Sequence, residues 1–63
     1  MTKINYQLYD EKMNCTHLEH PTDIVPMVGD IMDFSTTGNT LFLKVVRRQF
    51  TSYNHLIIIL ENL

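Results

Sequence analysis

One cysteine, Cys15, is all the chain has, so no disulfide can close within its 63 residues. That usage fits a reducing compartment better than an oxidising one. Tryptophan is absent, and Gly29 and Gly38 are the only glycines. A glycine-rich loop that cradles phosphates therefore has nothing to be built from. Nor does a long apolar run occur. The longest stretch, Leu56-Ile57-Ile58-Ile59-Leu60, is far short of the roughly 20 residues a membrane helix needs. The opening residues, Met1 to Tyr6, show no basic start followed by an apolar block, so no secretory leader is expected. These features point to a cytoplasmic protein with no membrane partner. An excess of positive charge is missing as well. Five Lys and Arg stand against seven Asp and Glu, for a net charge of −2. Strong basicity of the kind that marks a nucleic-acid binder is not there.

What is present is strand-like. The length allows one domain, residues 1–63, with one small core. Ile4, Tyr6 and Leu8 alternate with Asn5, Gln7 and Tyr9, the period-two signature of a strand with one apolar face. Asp10-Glu11-Lys12 reads as a turn. Met13 to Leu18 reads as an irregular second strand, since Asn14, Cys15, Thr16 and His17 are weak helix formers and no helical stripe supports them. Pro21 and Pro26 bracket an extended link. Gly29-Asp30 is a turn, Ile31 to Ser35 a strand, and Thr36 to Asn39 a hairpin loop with Gly38 free to take positive φ. Thr40 to Phe50 and His55 to Glu61 complete the set. The expectation is an all-β fold, a small antiparallel, SH3-like, partly open barrel of about five strands.

A four-residue loop from Thr51 to Asn54 would set Phe50 opposite His55, Arg48 opposite Ile57, Val46 opposite Ile59 and Lys44 opposite Glu61. Leu43, Val45, Ile58 and Leu60 then share the core face. Phe42, Val46, Ile57 and Ile59 occupy the other face, with Lys44 and Arg48 among them. The run from Leu56 to Leu60 does not alternate, so both of its faces should be covered. Either the segment from Met13 to Pro26 lies over the second face, or a protein partner or a second copy does. Parity also points Arg47 inward, a misfit that a bulge at Arg47 or Arg48 would remove.

The stretch Val25-Pro26-Met27-Val28-Gly29-Asp30-Ile31, followed by Leu43-Lys44-Val45-Val46-Arg47-Arg48 and an apolar strand ending at Glu61, resembles small uncharacterised proteins of bacteria and their phages. Those carry a similar Pro-x-x-Gly-Asp turn and Lys-Val-x-Arg strand. The resemblance runs from Val25 to Glu61. It implies an SH3-like barrel in a short bacterial or phage protein, for instance a phage-encoded accessory or inhibitor. It implies no activity and no functional residues.

Candidate chemistry is sparse. Cys15, His17, His20 and His55 are the nearest approach to a zinc set, but their spacing matches no zinc pattern, so no metal is expected. Asp30 and Asp33 read as turn residues, not a catalytic pair. With no nucleophile–base pattern, no small-molecule substrate and no cofactor in view, the chain reads as non-enzymatic. The first expectation is a self-associating protein-interaction module using Phe42, Val46, Ile57 and Ile59, with Lys44 and Arg48 at the rim. The alternative is a nucleic-acid-binding barrel using Lys44, Arg47, Arg48, Phe50 and Tyr53.

Overall fold

A computed structural model describes residues 3–51 and 54–63, which form five strands and, among the described residues, no helix. They are β1 (Lys3–Tyr9), β2 (Cys15–Leu18), β3 (Ile31–Asp33), β4 (Phe42–Phe50) and β5 (His55–Asn62). They assemble in the order β2-β1-β5-β4-β3. The fold is thus all-β, a strongly curled half-barrel. Three pairs are antiparallel, but β1 and β5 run parallel, with Lys3 beside His55 and Leu8 beside Leu60. The sheet is mixed, where an antiparallel one was expected. Alternation of apolar and polar residues reports which face a side chain takes and carries no record of strand direction.

The core lies on the inner face. Tyr6, Met32, Phe34, Leu43, Val45, Leu56, Ile58 and Leu60 are buried there, with Ile4, Leu8, Leu18 and Leu41 packed against them. The expected core set of Leu43, Val45, Ile58 and Leu60 is among them. All four are at most 1% exposed, and each removes an aliphatic side chain from water, a gain of about 1.5–3 kcal/mol apiece.

Two hairpins flank the centre. Between β1 and β2, the Asp10 carboxylate accepts from the backbone N–H groups of Lys12 and Asn14 and from Asn14 Nδ2. These bonds hold its pKa below the ordinary aspartate value. Between β3 and β4, Thr36 and Asn39 exchange two backbone hydrogen bonds around Gly38, which sits at φ +80°. A side chain at that φ would be strained.

The segment from 19 to 30 crosses the inner side of the half-barrel, not the outer one. Pro26 is buried, and Gly29 N–H donates to the Val45 carbonyl while Val45 N–H donates to that of Asp30. The half-barrel draws together between its two edge strands. His20, just after β2, meets the Asp33 carbonyl of β3 at 3.0 Å. Its ring packs edge-on against Phe34 at 5.1 Å, and Phe34 against Tyr6 at 5.6 Å. Such tilted ring contacts are the favoured aromatic geometry. Among the described residues, no helix is long and apolar enough to cross a membrane.

Candidate interaction surface

The outer face is set by the register of β4 on β5. Lys44 lies opposite Glu61 and Val45 opposite Leu60, but the next pair is Arg47 with Ile59. A bulge at Val46 absorbs one residue, one or two positions before the expected site. Beyond it the register differs from that expected. Arg48 stands opposite Ile58 and Phe50 opposite Leu56, whereas Ile57 and Ile59 face Gln49 and Arg47. The reason is the bulge itself, since one extra residue exchanges the two faces of everything that follows. Arg47 thereby leaves the core side and becomes exposed.

Two consecutive rungs form across the centre of the outer face. Asn5, Ile57 and Gln49 make one; Gln7, Ile59 and Arg47 make the next. The two isoleucines are half-buried between longer polar side chains. They floor a cleft of about 450 Å³ lined also by Gln7, Tyr9, Met13, Arg47 and Gln49. The Tyr9 hydroxyl donates to Gln7 Oε1 at 2.9 Å, stiffening one rim. A hydrogen bond with the Cys15 thiol, then desolvation, raises the Tyr9 pKa above the ordinary phenol value. Met13 reaches this rim from a left-handed backbone, φ 64°, a conformation uncommon for a non-glycine residue. It is the one part of the Met13–Pro26 segment that lines this cleft.

The expected interface residues are not all gathered here. Ile57 and Ile59 are central, and Val46, the bulged residue, is half-buried but has no partner in the ladder and does not line the cleft. Phe42, 45% exposed, stands opposite Asp33 near the β3 edge, beyond Lys44. Lys44 is on the outer face opposite Glu61. Arg48 is not; it belongs to the inner side, where its Nη1 lies 3.4 Å from Met27 Sδ and its guanidinium sits 5.7 Å from the Phe50 ring centre. The cluster Lys44, Arg47, Arg48, Phe50 is split in the same way, the first two outside and the last two inside. Tyr53 lies outside the described residues.

Cys15 and His17 stand on the β2 edge, His55 opens β5 on the far side of β1, and His20 is engaged with Asp33 and Phe34. Among the described residues no three His, Cys, Asp or Glu side chains group as metal ligands would. Asp30 accepts from Met27 N–H at 2.7 Å and Asp33 from Ser35 N–H at 2.8 Å, both within local turns. The Ser35 hydroxyl and N–H lower the Asp33 pKa.

Tyr9, Gln7, Gln49 and Met13 are the contributors that sequence reasoning missed. Placing them needs the parallel neighbour of β5 and the bulge position. The one available signal was the inward parity of Arg47, which demanded a bulge.

The class these features define is a small all-β half-barrel whose central strand carries apolar residues on both faces. No protein-family model matches the chain, and neither the curated proteins nor the solved structures contain a significant match.

Proposed function

We propose that the chain is a non-enzymatic protein-interaction module that docks a protein partner on its outer sheet face. The supporting observation is the pair Ile57 and Ile59, on the outside of the central strand, at the floor of a cleft that no described segment crosses. A strand wetted on one face selects polar residues there. Two β-branched apolar side chains at the middle of that face are instead what an interface core uses, with Arg47, Gln7, Gln49 and Tyr9 as a polar and aromatic rim. Phe42 stands farther out toward β3, separated from this floor by Lys44.

The nucleic-acid reading draws less support, because its cluster is divided: Lys44 and Arg47 stand on the outer face, Arg48 and Phe50 on the inner side. Retention experiments in the native cell test the docking reading. A partner held by the wild-type chain should be lost with Ile59→Glu and kept with Phe50→Ala on the inner side. Equal retention by wild type and Ile59→Glu defeats the proposal.

A further inference from the structure

We infer that the occupant of this face is a second copy of the same chain, packed face to face about a two-fold axis that crosses β5 at the level of Ile58. The inference rests on the docking reading above and adds the partner and the register.

The exposed area of the chain is large for its size. The chain exposes 4913 Å², about 700 Å² more than a compact monomer of 7.4 kDa presents. A standard interface takes about 800 Å² from each partner. Small domains make up such a deficit with disulfides, a metal or a second subunit. One cysteine excludes an internal disulfide, and the described residues hold no cluster of three metal-type ligands.

The arrangement of charge fixes the axis. One end of the outer face carries Lys3 beside His55. The other carries Glu61, which lines a second cleft together with Asp10, Glu11 and Lys12, three carboxylates against Lys12 and, opposite Glu61, Lys44. An axis parallel to the strands would lay Glu61 on the partner's Glu61. An axis perpendicular to β5 instead lays Glu61 on the partner's His55. It also puts Ile57 on the partner's Ile59, Gln49 on the partner's Arg47 and Asn5 on the partner's Gln7. Apolar meets apolar, polar meets polar, and the acidic end meets the end bearing Lys3. Because the sheet curls about its core, contact runs along β5 and its two neighbours, with the sheets about 10 Å apart.

Sedimentation equilibrium on the whole chain tests this, under reductant so that exposed Cys15 cannot cross-link. Loading reaches about 1 mM, enough to populate a weak dimer. The wild type should dimerise, and Ile59→Glu, which sets a carboxylate in the apolar centre of each face, should weaken the dimer more than about 100-fold. Circular dichroism checks that the strand signal survives. The decisive pair is His55→Glu, expected to weaken association about 5–10-fold by setting like charges opposite each other twice, and His55→Glu with Glu61→Lys, expected to restore it. Residues 55 and 61 are about 20 Å apart along one strand, beyond the reach of screened surface charges. Rescue therefore does not come from a contact between positions 55 and 61 of one chain. A wild-type monomer at the highest loading overturns the inference, and if that monomer still holds a foreign protein through Ile59, the docking reading survives it. A dimer indifferent to Ile59→Glu places the contact elsewhere. Loss with Ile59→Glu but no rescue by the charge pair overturns the register.

Discussion

Tyr6 carries the sharpest contrast within a single side chain. Its ring belongs to the core, yet its hydroxyl is buried and finds no hydrogen-bond partner among the described residues. An unsatisfied buried hydroxyl costs about 1–3 kcal/mol. Tyr6→Phe should therefore raise stability, by about 1 kcal/mol, read from the midpoint of a urea titration. Burial also raises the Tyr6 pKa above 10.0. The neutral phenol is favoured when folded, so its contribution is complete below pH 10 and lost as pH climbs through the raised value. Wild type should lose stability along that alkaline limb more steeply than Tyr6→Phe. Ile58, fully buried in the middle of β5, behaves conversely. Ile58→Ala should cost about 2–5 kcal/mol, a large part of what a domain this size has, whereas a polar replacement of its half-buried neighbour Ile59 should cost less. Ile57 and Ile59 were legible as a doubly apolar strand because the run from Leu56 to Leu60 breaks alternation. Arg48 was misplaced because one bulged residue, Val46, reverses every assignment beyond it.

At the level of elements, the turns followed from their residues and the pairings did not all do so. Gly38 at φ +80° and the Thr36–Asn39 bonds are the expected hairpin loop. Gly38→Ala should destabilise it by about 1 kcal/mol, measurable by thermal unfolding. Asp10 and Asp33 organise their turns as carboxylates, both with pKa values below 3.8. A depressed pKa means the contribution is present above the unfolded value and vanishes as pH falls through the folded one. Melting temperature should thus drop on acidification below about pH 4, and the drop should be shallower in Asp10→Asn. The parallel contact of β1 with β5 had no such local signal. Strand direction depends on how the intervening 45 residues, 10–54, are routed. The rim formed by Gln7 and Tyr9 was illegible for the same reason.

Seen whole, the molecule consists of two antiparallel hairpin-like halves, β1–β2 and β3–β4, held together by β5. That joining strand is the last of the five to leave the ribosome. Until it does, neither half has its principal neighbour, and Tyr6 on one side and Val45 on the other lack the side chains that bury them. Nascent chains ending before His55 should accordingly be protease-sensitive along their length, while chains extended through Asn62 and clear of the exit tunnel should become resistant in one step. Assembly would be all-or-nothing during synthesis, with the emergence of β5 as the trigger.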